Sequence, residues 1–274
     1  MFCARSGICK WGVNLNVFDR LVKCEIEYIK NFCTAEVNQK IIKFCDDDIM
    51  HDMHATNYTW IKNADNDDDL IRLIEAEIEH SKRLNKDFCM IACHVPLNIF
   101  ALNMLSVSPS ISTSGYYVFD CNHEIPKIPK NDDVKIIRAS SPEMIDDILT
   151  LDIEHEGENP DIDFCKRRLT RRKDIYLSDK GVDTYLCYYK SNAVGNCDLF
   201  ISNGVAKIEE FAVSPSNQGK GFGAALLCEM MEIAVNNNVK LIYLGADEND
   251  TVKNMYQKFG FTKVHEFIEL EFTV

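Results

Sequence analysis

Residues 208–224 read IEEFAVSPSNQGKGFGA, and the rest of the chain is interpreted outward from this stretch. An apolar strand, Val205 to Val213, ends at Ser214 and Pro215. After a polar turn, Gln218-Gly-Lys-Gly-Phe-Gly opens a run with helical spacing: Ala224, Leu227, Met230, Met231 and Ala234. Glycines at 219, 221 and 223 leave the first N–H groups of that helix bare, with room for a ligand to approach closely. Those N–H groups and the helix dipole suit an anion, most often a phosphate.

The chain has 274 residues, enough for one large or two ordinary domains. Its hydrophobic share of 46% and charged share of 27% belong to a globular protein. No apolar run reaches the roughly 18–20 residues of a membrane span, and MFCARSGICK at the start lacks the apolar core of a signal peptide. The expected location is cytoplasmic, with no membrane partner. A net charge of −13 argues against nucleic acid. The local exception, RRLTRR followed by Lys173, reads as a solvated helix face.

Twelve cysteines raise metal and disulfide readings, yet no CxxC pair occurs. Cys89, Cys93 and His94 come nearest to a ligand set, inside the apolar run FCMIACHV. Strand alternation puts both cysteines on one face, where they read as small buried hydrophobes, so no metal is expected.

Along the chain, Val17 to Ile42 carries apolar residues at helical steps, with a break at Thr34. DDDIMHDMH, residues 46–54, reads as an exposed acidic loop. His54 to Lys62 alternates like a strand, Asp65 to Leu84 is helical, and Phe88–Val95 and Gly115–Asp120 are strands. IPKIPKNDD, residues 125–133, is the best linker and places a boundary near Asn131, giving domains 1–130 and 131–274. Beyond it come a strand to Ala139 and a helix capped at Ser140, Ser141 and Pro142. A second helix covers Phe164–Leu177, and strands follow at 183–190, 194–201 and 205–213. The glycine-opened helix, a strand at 240–244, a short helix to Phe259 and two last strands, 261–265 and 267–273, complete the count.

This β-α-α-β-β-β-α-β-α-β-β order, with Gln-x-x-Gly-x-Gly between fourth strand and third helix, resembles the GNAT acyltransferase superfamily. Asn249, Val252, Met255 and Tyr256, followed by Gly260-Phe261, match a second family motif at the expected distance. The resemblance covers residues 131–274. It implies an α/β (α+β) fold with a mixed, mostly antiparallel central sheet flanked by helices. The stretch 1–130 looks like a smaller α/β domain of tandem-GNAT type, degenerate and without its own glycine loop. Covering the acceptor, forming a homodimer surface and binding a regulator are its three open roles.

What the resemblance implies chemically is an N-acetyltransferase that uses acetyl-CoA in a ternary complex and needs no metal. The pyrophosphate would lie on Gln218, Gly219, Lys220, Gly221, Phe222, Gly223 and Ala224. The pantetheine arm would pair with main chain at Phe211, Ala212 and Val213, in a gap between fourth and fifth strands. Asn249 would contact the cofactor, and Tyr256 would also protonate the departing thiolate. Glu210, with Glu209 close behind, is the candidate base. As neighbours in a strand the two point to opposite faces unless a bulge changes the parity.

The acceptor is read as a small-molecule or peptide amine. LDIEHEGENPDIDF, with Asp152, Glu154, Glu156, Glu158, Asp161 and Asp163, suits a cationic amine or is simply a solvated acidic loop. His155 is an alternative base. A reading of another class is a non-catalytic CoA-binding regulatory module.

Overall fold

The computed structural model describes residues 15–46, 49–178 and 181–274. Residues 1 to 15 show no clear period in the sequence and read as a loose arm; nearly all of that stretch, and part of the 46–54 loop, lie outside the described residues.

The chain opens with α1 (Leu15–Ile29), β1 (Thr34–Val37), β2 (Ile41–Cys45), β3 (Tyr58–Ile61), α2 (Asp67–Arg83), β4 (Phe88–Cys93) and β5 (Ser110–Asp120). Beyond the 125–133 segment follow β6 (Val134–Arg138), α3 (Pro142–His155), α4 (Ile162–Tyr176), β7 (Asp183–Tyr189), β8 (Asn192–Ser202) and β9 (Val205–Val213). The last elements are α5 (Phe222–Asn236), β10 (Leu241–Asp247), α6 (Lys253–Lys258) and β11 (Thr262–Thr273).

These elements form two compact units interleaved along the chain, where the linker reading expects two consecutive stretches. One holds the described residues up to Asn31, Tyr116–Gly245 and Thr251–Val264. The other holds Phe32–Gly115, Ala246–Asp250 and His265–Val274.

In the first unit the strand order is β5-β10-β9-β8-β7-β6. The pairs from β6 to β9 are antiparallel, and β9 with β10 is parallel. Helices α1 and α5 both pack on β8 and β9, and α3 packs on β8 and α4. Ser141 caps α3 by accepting from the Met144 N–H, and Pro142 supplies a first-turn residue that needs no partner. The 125–133 segment is tied down at its end, since the Asn131 N–H donates to the Gly221 carbonyl at 3.3 Å.

In the second unit the order is β1-β2-β3-β4-β11, antiparallel except for β3 with β4. Its core joins Leu70, Ile74 and Ile78 of α2 to Ile91 of β4 and to Leu270 and Phe272 of β11. Cys89 and Cys93 belong to that core, as strand alternation requires. The described cysteines are free thiols, most of them buried.

The helix expected from Val17 to Ile42 stops at Ile29 and gives way to the β1–β2 hairpin. Asn38 decides this: its side chain accepts from the N–H groups of Lys40 and Ile41, closing a turn that a helix cannot use. His54–Thr56 is a 3-10 turn ahead of β3 rather than its first residues. The two strands expected at the end are one, β11, because 265–268 contain no turn residue and pairing with β4 holds the second half.

Candidate active site

Strands β9 and β10 pair only from Leu241↔Val205 to Tyr243↔Lys207. Beyond that point, Ile208–Val213 and the end of β10 separate. A cavity of about 300 Å³ opens there, lined by Glu209, Glu210, Phe211 and Ala212 on one side and Leu244, Gly245 and Tyr256 on the other. Asp152, His155 and Glu156 from the end of α3, with Arg168 of α4, form another part of its wall.

The parting coincides with a bulge. Asn196 of β8 faces Ala212 and Asp198 faces Glu209, so β9 carries one extra residue across this step. Glu210 takes it up with a φ of +51°, a region that a residue with a Cβ enters only under constraint. The constraint is visible from both sides. Asn196 donates its amide to the Glu210 carbonyl at 3.1 Å. Across the strand pair β8 runs so close that a Cβ at Gly195 would stand 2.5 Å from the Ala212 carbonyl oxygen. The bulge undoes the alternation expected of consecutive strand residues, and both Glu209 and Glu210 line the cavity.

The two carboxylates nonetheless have different surroundings. Glu210 receives Arg172 at 2.6 Å and a close contact from Arg168, which also lies 3.5 Å from Asp152. Burial alone would raise the Glu210 carboxyl, but the guanidiniums of Arg172 and Arg168 outweigh it and pull it down to about 2. A group so firmly ionised is a poor proton acceptor. Glu209 is shifted the other way: burial raises its carboxyl, and the Lys207 ammonium at 2.8 Å only partly offsets this. That raised carboxyl lines an open cavity, the setting of a general base.

Arg168 and Arg172 fall within the run read as a solvated face, and that reading does not hold for them. Positions 168, 172 and 176 share one helix face, so Arg172 and Tyr176 are buried against the sheet along with Arg168's inner atoms. Their spacing was a usable signal, since Cys165 and Leu169 mark the same face as apolar. Tyr176 donates in turn to Asp198 at 2.9 Å, as does Tyr28 of α1 at 3.2 Å.

Tyr256 is 5% exposed, on the short helix α6, its ring edge-on to Phe211 with centroids 6.1 Å apart. The Phe261 N–H donates to its carbonyl at 3.1 Å, so the Gly260-Phe261 turn fixes its backbone. Gly260 has a φ of +85°, which accounts for glycine there.

The glycine loop runs from the end of β9 into α5. Gly219 and Gly221 have φ of +74° and +82°, and Gly221 is the N-cap, with no side-chain acceptor for the first-turn N–H groups. A Cβ at Gly221 would lie 3.0 Å from the Asn131 nitrogen. Gln218 donates back to the Val213 carbonyl, and Lys220 Nζ bonds the Ser216 carbonyl and the Asn217 side chain. Phe222 is buried, whereas Gly223 and Ala224 keep partly open positions at the helix start. Asn249 lies in the loop after β10, exposed, its N–H donating to Asp247 at 2.7 Å. It is not among the cavity-lining residues.

Of the acidic residues at 152–163, Asp152 faces Arg168, and burial raises its carboxyl. Asp161 caps α4 through the Phe164 N–H, and Asp163 pairs with Arg167 at 3.0 Å. Glu154, Glu156 and Glu158 are exposed. No helix among the described residues is long and apolar enough to cross a membrane.

Comparison with known proteins agrees with this architecture. Residues 145–261 match the family model described as Acetyltransferase (GNAT) family. The uncharacterized N-acetyltransferase CgeE of Bacillus subtilis is 32% identical over an alignment of 105 residues that covers 36% of this chain and 40% of that protein. The chain thus spans less than half the length of that relative. Among solved structures, a GCN5-related N-acetyltransferase from Kribbella flavida superposes with a TM-score of 0.67 at 12% identity, covering 93% of this chain and 95% of that one. A tandem GNAT protein from the clavulanic acid biosynthesis pathway does so with a TM-score of 0.56 at 10% identity, covering 78% and 74%. At such identities these two likenesses concern the fold.

Proposed function

We propose that this chain, whose residues 145–261 match the acetyltransferase (GNAT) family model, moves an acetyl group from acetyl-CoA to a primary amine. The observation that carries the reading is the parting of β9 from β10 after Lys207↔Tyr243, with Glu209 and Tyr256 lining the space it opens.

The residues around that space fit a CoA thioester. Main chain at Phe211, Ala212 and Val213 lies on a strand edge that β10 leaves unpaired, suited to an amide-bearing arm. The glycine loop and the uncapped start of α5 are suited to a pyrophosphate. When bound, the thioester supplies an activated acyl carbon with a thiolate leaving group.

The chain's residues would act around it as follows. An amine attacks only when neutral, so a carboxylate must take its proton, directly or through one water. Glu209 fits this role better than Glu210, whose oxygens are committed to Arg168 and Arg172. Tyr256, in the same cavity wall, would donate a proton to the departing sulfur. The scheme is direct transfer from donor to acceptor in one ternary complex, with Glu209 and Tyr256 lining the same cavity. Asp152, Glu156 and Glu209 make the acceptor side acidic, which favours a small cationic amine.

The test is a thiol-release assay with acetyl-CoA against polyamines, amino sugars and lysine peptides, paired with calorimetric titration of CoA. Release with at least one amine supports the reading. Tight CoA binding with no release on any amine would refute it in favour of a binding module.

A further inference from the structure

A helix from outside the family-matched residues completes the cavity's electrostatics. Helix α1 lies on β8 and β9 and delivers Glu25 to Lys207, with 2.6 Å between Oε1 and Nζ. The same Lys207 Nζ reaches Glu209 Oε2 at 2.8 Å. The second oxygen of Glu25 accepts from Tyr243 of β10 at 2.8 Å. Lys207 also sits over the Tyr28 ring, 4.5 Å from its centroid, and is 4% exposed. One buried ammonium is therefore shared by two carboxylates, one of them sealed beneath the sheet by α1 and the other open to the cavity.

We propose that Glu25 and Lys207 are positioning residues that set the charge and orientation of Glu209, so that α1 is a working part of the active site. This rests on Glu209 acting as the base in the reading above.

The argument is one of competing charges. Lys207 favours the ionised form of Glu209, while Glu25 opposes it, both as a like charge and as a rival for the same ammonium. The other groups around Glu209 are Glu210 on its own strand, the Tyr28 phenol from α1 and the Cys197 thiol from β8, with Asp152, His155 and Glu156 at the end of α3, Arg168 of α4 and Tyr256 of α6 lining the same cavity. None of these bridges to it through a shared cation. Lysine at 207 with glutamate at 209 follows from strand alternation, which sends both side chains to the face that α1 covers. Burying a 2:1 set of charges is unfavourable unless each is satisfied, and Tyr243 and Tyr28 supply the remaining contacts.

The test reads the Glu209 carboxyl directly, by carbon NMR titration of protein labelled at glutamate side-chain carboxyls. Its signal is the one lost in Glu209→Gln. The midpoint is expected to fall in Glu25→Gln and to rise in Lys207→Met, each by about one pH unit. Opposite signs are the signature, because a merely structural role would not move the midpoint in both directions. An unmoved midpoint in Glu25→Gln overturns the proposal, and this variant suffices should Lys207→Met fail to fold. In thiol release, an acidic limb that follows the three midpoints supports the whole scheme. Midpoints that move under a fixed limb uphold the charge setting and overturn instead the choice of Glu209 as base.

Discussion

Arg172 of α4 donates to the Glu210 carboxylate across 2.6 Å, and in doing so ties a helix to the one bulged residue of β9. The contact anchors the Glu210 side chain at the bulge, where its φ is +51° and Asn196 holds its carbonyl. Removing the guanidinium in Arg172→Met would leave a buried carboxylate with only Arg168. Breaking such a pair from one side typically loses about 3–5 kcal/mol. Urea unfolding at neutral pH is expected to show a loss in that range, and a change under about 1 kcal/mol would mean that the pair does not hold the bulge.

Glu210 also predicts an acid limb in stability. Its carboxyl is lowered in the folded state to about 2, so its contribution is present above the ordinary carboxylate value of about 4.3 and is lost as pH falls toward 2. Glu210→Gln is expected to be less stable than wild type at pH 7, with the gap closing on acidification. Melting temperatures measured from pH 7 down to the lowest pH at which both proteins stay folded test this.

Asp198 works with the opposite sign. Burial raises its carboxyl to about 7, while Tyr28 and Tyr176 both donate to one of its oxygens. A raised carboxyl stabilises fully below its unfolded value of about 3.9, and that stabilisation is lost as pH rises through about 7. Asp198→Asn keeps an oxygen for the tyrosines and has no charge to bury. The variant should therefore gain stability relative to wild type between pH 5 and pH 8.5. A gap that stays constant over that range would refute the assignment.

Tyr256→Phe separates chemistry from binding. The ring would still pack on Phe211 and Phe261. Losing a general acid typically lowers turnover by about 10²–10⁴-fold. The expected result is a fall in kcat of at least about 10²-fold with the acetyl-CoA KM nearly unchanged. Equal turnover in both proteins would remove Tyr256 from the mechanism.

Gly221→Ala addresses the loop. At a φ of +82° an added Cβ brings about 1–2 kcal/mol of backbone strain, and it would press on the Asn131 nitrogen at 3.0 Å. CoA affinity by calorimetry should drop several-fold while kcat at saturating donor is largely kept. Unaltered affinity would place the pyrophosphate elsewhere.

Much of this was legible in the residues. The glycines at 219, 221 and 223, the strand before them and the helix after them are local facts, and a strand-glycine-helix junction has few ways to fold. The Asn249 to Phe261 motif is likewise local. So are the caps at Ser141 and Asp161, where a short polar side chain precedes a helical run. Cys89 and Cys93 could be placed in a core by alternation alone.

The roles of Glu209 and Glu210 were not legible, and the reason is physical. Their sequence neighbours say nothing about Arg172, 38 residues away, or Glu25, 184 residues away from Glu209 and joined to it only through Lys207. A carboxyl's proton affinity depends on burial and on charges within a few ångströms, and those come from whichever elements pack against it. The sequence by itself determined a strand-glycine-helix junction and a second motif, from Asn249 to Phe261, that together resemble one family. Only the tertiary structure decided which cavity-lining glutamate is locked to arginines and which is paired with a buried lysine. It did so by adding one residue to β9, ending its pairing with β10 at Lys207, and laying α1 across the strands where that lysine is buried.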